Sequence, residues 1–175
     1  MDYTLTTERL RLRLMEVDDA ERIFRGYSSD PEASRFMTFP TQTDVAETRA
    51  FLEGRQHEFA AGKSVLWAIC SRNDDDFIGA IEIRPEEDDA EVGFIIARPY
   101  WGRGIVAEAL SAVLQFAKGV LRLERVHGRC DVENLQSARV FEKSGFACAG
   151  VAPKSVVHPN VSSEPRDARL FTLDL

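Results

Sequence analysis

The 175-residue sequence is short of the residues that staple, chelate or anchor a chain. Its three cysteines, Cys70, Cys130 and Cys148, stand singly in apolar or strand-like runs, without the close pairs that zinc ligands and redox motifs use. They read as buried, reduced thiols. The three histidines, His57, His127 and His158, are scattered, so a nucleophilic Cys130 served by a histidine is the weaker reading and no metal site is expected. No apolar run reaches the length of a membrane span, and the N-terminal residues lack the basic and apolar regions of a secretory leader. A cytoplasmic protein without a membrane partner is expected. Positive charge is also in deficit: 22 basic against 29 acidic residues leave a net charge of -7, with no concentrated basic face for a nucleic acid. An acidic surface of this kind keeps a protein soluble and mildly favours a cationic substrate.

Apolar patterning fits one α/β domain over residues 1–175, long enough to bury a core without staples. Leu10-Arg-Leu-Arg-Leu14 alternates as a strand with one buried face, and Asp18 and Asp19 stand where they can cap a helix over Ala20 to Tyr27. Apolar residues at near-helical spacing predict a second helix from Thr43 to Ala61, stopped by Gly62. Val65–Cys70, Phe77–Ile83 and Ala90–Ile96, separated by short polar turns, predict an antiparallel meander. A strong amphipathic stripe follows from Val106 to Ala117, ending near Gly119. Then come a strand at Arg125–Cys130, a short helix from Ser137 to Ser144, and strands at Phe146–Val151 and Ala168–Leu173, with Pro153 to Pro165 as a polar loop.

The chemistry concentrates where the meander ends. Trp101-Gly-Arg-Gly-Ile-Val106 joins an apolar strand to an amphipathic helix; the two glycines let successive N–H groups approach a pyrophosphate, the helix dipole adds attraction, and Arg103 adds a cation. A Gly-x-Gly turn into a helix also opens dinucleotide folds, but those require parallel strands joined by helices from the beginning, and here a meander comes first.

These residues, with Thr7-Glu-Arg-Leu-Arg-Leu-Arg13, Ala90-Glu-Val-Gly-Phe94, Pro99 to Ala109, Glu133-Asn-Leu-Gln-Ser-Ala-Arg-Val-Phe-Glu-Lys-Ser-Gly-Phe146 and Arg166-Asp167, make the chain resemble the GCN5-related N-acetyltransferases, in the branch of the ribosomal-protein N-terminal acetyltransferases. The resemblance implies a mixed, mostly antiparallel central sheet of about six to seven strands, splayed in the middle and flanked by about four helices. It also implies an enzyme that moves an acetyl group from acetyl-coenzyme A to a primary amine by direct attack in a ternary complex. Candidate acceptors are a protein N-terminus, a polyamine, an aminoglycoside or an amino-acid-like molecule. Family members often pair as dimers, which makes a homodimer an implied partner.

By resemblance, backbone groups of Phe94, Ile95 and Ile96 bind the pantetheine arm, and Trp101, Gly102, Arg103, Gly104, Ile105 and Val106 receive the phosphates. A fixed N–H on the thioester carbonyl would stabilise the oxyanion. Val106 stands where the family usually has Gly or Ala. Asn134 would bind the coenzyme or the incoming amine, and Ser137 would protonate the leaving thiolate, although both residue types also cap helices. Glu91 matches the family's general base, with Glu82 on the neighbouring strand as the second candidate. The family's common acid, a tyrosine near the last strands, has no clear match, the equivalent region reading Arg-Leu-Phe171, which leaves Ser137 or solvent to serve. Phe36, Phe39, Trp67 and Tyr100 are aromatic candidates for an acceptor pocket to which no role is assigned. A non-catalytic acyl-coenzyme A sensor is the alternative reading.

Overall fold

The computed structural model describes residues 2–175. One mixed sheet runs in the order β1-β2-β3-β4-β5-β6-β8-β7, with β1 Leu5–Thr6, β2 Leu10–Leu14, β3 Val65–Ser71, β4 Phe77–Glu86, β5 Asp89–Ile96, β6 Arg125–Asp131, β7 Ala147–Val156 and β8 Arg166–Asp174. Its one parallel pairing among the described residues is β5 with β6. The two-residue β1 adds an eighth strand to the seven visible in the sequence, too short to show a period.

Alternation along each strand sorts side chains to two faces. Leu10, Leu12, Trp67, Ile69, Ile81 and Ile83 face one core, beneath α3 (Ile105–Phe116) and α4 (Leu135–Lys143); Ala68, Cys70 and Ala80 face the other, beneath α1 (Ala20–Ile23) and α2 (Val45–Ala60). α3 buries Ile105, Val106, Leu110, Val113 and Phe116, each contributing roughly 1.5–3 kcal/mol. That sum far exceeds the propensity differences within the helix, so packing is what fixes the loop preceding it.

Several boundaries depart from the sequence reading. α1 passes into a π-helical turn at Phe24–Ser28, and Asp19 does not cap it: its carboxylate takes two hydrogen bonds from Arg13, at 2.6 and 2.7 Å. α2 is capped by Asp44, whose side chain accepts from Ala46 N at 2.8 Å. α3 runs through Gly119 in a second π turn and ends at Arg122, in the left-handed region with φ 57°. β7 continues to Val156, into the segment expected to be loop, with an irregularity between Ala152 and Val156. Of the cysteines, Cys70 and Cys130 are buried, but Cys148 is exposed.

Candidate active site

β5 and β6 part company after three residues. Their parallel register runs from Asp89↔Arg125 to Glu91↔His127 and stops, while β5 stays paired with β4 as far as Gly79↔Ile96. Beyond Glu91 the sheet therefore forks. Which backbone groups face the fork follows from the alternation of an antiparallel ladder. Ala97 N donates to Ile78 O at 2.9 Å, and Pro85, opposite Ala90, has no N–H to give. Ile95, opposite Ala80, is thus turned to β4, whereas Phe94 and Ile96 turn away from it, toward the fork. The Ile96 carbonyl confirms the direction: it accepts from Trp101 Nε1 at 2.9 Å. Of the three residues expected to offer backbone groups, Phe94 and Ile96 have them oriented to the opening and Ile95 does not.

Two turns on, Gly102 and Gly104 both adopt left-handed backbone, φ 74° and 73°. A Cβ at Gly102 would meet nothing within 4 Å, so the glycines serve conformation rather than clearance. The N–H groups from Gly102 to Ala107 find no protein acceptor among the described residues, the arrangement that binds anions at a helix N-terminus. Arg103 is exposed, its guanidinium 5.7 Å from the Tyr100 ring centre. Val106 points into the core, 7% exposed, so its bulk leaves the loop clear.

A cavity of about 220 Å³ passes through the fork. Tyr27, Phe39 and Phe51 line it on the α1/α2 side, Val92 to Ile95 and Arg129 to Asp131 along the parted strands, and Asn134, Ser137 and Phe141 on the α4 side. Gly128 permits this geometry, because a Cβ there would stand 2.4 Å from the Phe141 ring. The cavity brings together Glu91, Glu82, Phe94, Ile95, Asn134 and Ser137; the residues from Trp101 to Val106 lie outside it, at the head of α3.

Neither carboxylate candidate stands free. Glu91 Oε2 is 3.0 Å from Arg84 Nη2 and its Oε1 is 2.9 Å from Arg129 Nε. Glu82 is 2.6 Å from Arg84 and 2.8 Å from Arg55, which reaches Glu58 at 2.6 Å. Three glutamates and three arginines thus alternate in one chain of ion pairs, all but Glu58 on the cavity wall. Burial disfavours the Arg84 charge, but Glu82 and Glu91 outweigh that and hold its guanidinium more firmly protonated than usual.

Asn134 caps α4, its Oδ1 accepting from Ser137 N at 3.2 Å. The capping role and a place on the cavity wall coexist, since the amide nitrogen and the Ser137 hydroxyl make no protein hydrogen bond among the described residues. Cys130 also lines the cavity; burial pushes its thiol up to about 11, which makes it a poor nucleophile. Phe171 is core, stacked at 4.9 Å on Phe141. Trp67 is core as well, donating to Tyr3 O at 2.7 Å, and Tyr100 stays outside the cavity, whereas Phe36 and Phe39 line it.

Two polar groups at the cavity gave no signal in the sequence. Tyr27 is 4% exposed yet lines the wall, and burial, with the charges of Asp19 and Glu82, pushes its hydroxyl well above the usual phenol range. His158, 4% exposed, arrives from the loop after β7, its Nδ1 3.3 Å from Met37 O and its Nε2 unpartnered, 3.8 Å from Asp131 Oδ2. Burial holds this imidazole below its usual value. Asp131 is fully buried; burial opposes its ionisation, but Arg166 Nε at 2.6 Å and Glu133 N at 2.9 Å outweigh that and keep the carboxyl below the usual range. Asn160 fixes the same loop in place, accepting from Thr41 N at 2.7 Å and donating to the carbonyls of Ser34 and Phe39. The sequence pattern predicts a polar loop there, and its local pattern carries no sign that His158 folds inward.

A forked mixed sheet with an unpaired backbone edge, a glycine-built anion loop and a cavity crossing between them define an acyl-coenzyme A-dependent transferase. The model of the GNAT acetyltransferase domain matches residues 9–147, and the chain belongs to that family. It is 30% identical over 151 residues to an uncharacterized N-acetyltransferase of Bacillus licheniformis, covering 85% of this chain and 84% of that protein. It is 29% identical over 107 residues to the ribosomal-protein-serine acetyltransferase of Escherichia coli K12, covering 59% of each. The fold superposes with a TM-score of 0.87, at 17% identity and over 98% of both chains, on a ribosomal-protein alpha-N-acetyltransferase solved in complex with coenzyme A. As a member of the GNAT acetyltransferase family, the chain has acetyl-coenzyme A as its co-substrate. No helix of the described residues is long and apolar enough to cross a membrane.

Proposed function

We propose that the protein acetylates a primary amine seated on the α1/α2 side of the cavity, by direct attack on acetyl-coenzyme A lying in the fork. The observation that carries this reading is the cavity's passage through the sheet, which lets donor and acceptor meet from opposite faces. Phe94 and Ile96 offer backbone groups to the pantetheine arm, and the Phe94 N–H polarises the thioester carbonyl. Gly102 to Val106 take the phosphates.

Glu91, at the last paired position before the fork, receives the proton of the acceptor ammonium, directly or through one water; Arg84 and Arg129 fix the plane of its carboxylate. The freed amine attacks the carbonyl carbon and the C–S bond breaks; the thiolate takes a proton from the Ser137 hydroxyl, which is replenished by the second proton the acylated nitrogen loses, while Asn134 Nδ2 orients the groups around it. Glu82 positions Arg84 rather than acting on substrate.

The acceptor is an amine with an apolar or aromatic body. Five phenylalanines, Phe36, Phe39, Phe51, Phe94 and Phe141, wall the cavity, and its glutamates are matched by arginines, so a polycation finds no net acidic surface there. A small amine or the first residue of a protein chain fits about 220 Å³. Free cysteines are compatible with a cytoplasmic setting.

Thiol release from acetyl-coenzyme A tests this reading against a panel of aromatic and aliphatic amines, amino-acid amides, peptides and polyamines. Acceptor-dependent release, fastest with aromatic amines or amides, is expected. Coenzyme binding without release on any acceptor would favour a sensor, and a preference for polyamines would contradict the acceptor class.

A further inference from the structure

The segment Thr7-Glu8-Arg9 lies nowhere near the cavity, yet three of its groups converge on one carboxylate in the first turn of α3. Thr7 Oγ1 and Arg9 N both donate to Glu108 Oε1, and Arg9 Nε donates to Glu108 Oε2 at 2.6 Å. A second arm of the same guanidinium, Nη1, donates to the carbonyl of Arg103 at 3.1 Å, inside the glycine loop, and Nη2 lies 3.8 Å from where a Cβ on Gly104 would stand. Arg9 thus bridges the side chain at the start of the helix and the backbone of the loop that leads into it.

The arrangement resolves an electrostatic conflict. A glutamate in the first turn favours the helix dipole, but here the same positive end must attract phosphates, and an unneutralised carboxylate beside them would repel. Burial opposes Glu108 ionisation, but the bonds from Thr7 and Arg9 outweigh it, so the carboxylate is charged and needs its partner.

We propose that Arg9 is a positioning residue for the coenzyme: it neutralises Glu108 and holds the Arg103 carbonyl, so that the loop presents its N–H groups to the pyrophosphate without a competing negative charge. This rests on the coenzyme reading of the Gly102–Val106 loop.

The test is a double-mutant cycle on coenzyme A affinity, measured by calorimetry. Arg9→Ala should weaken coenzyme A binding about tenfold, the scale of one charge-assisted contact. Glu108→Gln should bind at least as tightly as wild type, and the double variant should recover to within about threefold of wild type. The KM for S-acetylpantetheine, which lacks the phosphates, should be the same in all four proteins. Unfolding temperatures without ligand verify that each variant folds; should Arg9→Ala not fold, Arg9→Gln takes its place in the cycle. Unchanged affinity in Arg9→Ala, a double variant as weak as Arg9→Ala, or equal losses for acetyl-coenzyme A and S-acetylpantetheine would each overturn the proposal. Failure of wild type itself to bind coenzyme A would instead overturn the coenzyme reading beneath it.

Discussion

The indole Nε1 of Trp101 donates to the carbonyl of Ile96 across 2.9 Å, tying the end of β5 to the start of the phosphate loop. One hydrogen bond thereby couples the strand edge proposed for pantetheine to the loop proposed for the phosphates, and it occupies the Ile96 carbonyl, leaving Ile96 N–H to the fork. Trp101→Phe keeps an aromatic ring and removes the donor. Coenzyme A affinity, read by calorimetry, should fall about three- to tenfold, the worth of one such bond; an unchanged value would deny the coupling.

Gly104→Ala introduces a Cβ whose one near neighbour, Arg9 Nη2, stands at an ordinary contact distance of 3.8 Å, so the cost arises from φ 73°. A penalty of about 1 kcal/mol or slightly more is expected, lowering the unfolding temperature by roughly 2–4 °C in a chain of this size. The larger effect should be on coenzyme-induced stabilisation, which should shrink sharply. Undiminished stabilisation by coenzyme A would remove the loop from the phosphate site.

Glu91→Gln and Glu82→Gln separate a base from a positioning carboxylate. Each substitution weakens two arginine contacts, so their unfolding temperatures should fall by similar amounts. Their kcat values should differ: about a hundredfold loss for Glu91→Gln, the scale of general base catalysis, and a much smaller one for Glu82→Gln. Equal losses in kcat would return Glu91 to a purely structural role.

His158 gives folding a pH dependence whose sign is set by burial. Its imidazole titrates below the usual 6.5 in the folded protein, so the unfolded chain binds the proton more readily. The neutral ring's contribution to stability is complete above 6.5 and is lost as pH falls through the folded value. Urea unfolding at a series of pH values should show wild type weakening in that window and His158→Gln weakening less. Identical slopes would contradict the assignment.

Asn160 should act on acceptor binding without touching the donor. Its side chain joins the loop carrying His158 to the segment carrying Phe36 and Phe39. Asn160→Ala should raise the KM of the acceptor amine several-fold and leave that of acetyl-coenzyme A unchanged. A rise confined to acetyl-coenzyme A would place the acceptor elsewhere.

What the sequence made legible follows from how local each determinant is. The meander, α3 and the glycine loop are written in short-range periodicity and turn chemistry, and they stand where the patterns put them. Gly119 misled because α3 is held by packing on the sheet, which carries it through a residue that would end an isolated helix. Asn134 and Ser137 were legible as a pair, and the structure has both on the cavity wall while the Asn134 oxygen caps α4. The placing of His158 and Asn160 was not legible in local patterns, since it arises from contacts between segments more than a hundred residues apart, as between Asn160 and Ser34; Tyr27 read only as an apolar helix position, and its place on the cavity wall comes from packing between elements. The ion pairs of Glu91 were hidden for another reason: strand register brings Arg84 opposite, and the pairing of β5 with β6 brings Arg129.

The central claim is direct transfer through the fork, and initial rates over a matrix of acetyl-coenzyme A and a preferred amine test it most directly. Intersecting reciprocal plots are predicted, with Cys130→Ala retaining activity, because both substrates must occupy the cavity together. Parallel plots, with an acetyl group found on Cys130 by mass spectrometry in the absence of amine, would contradict the account.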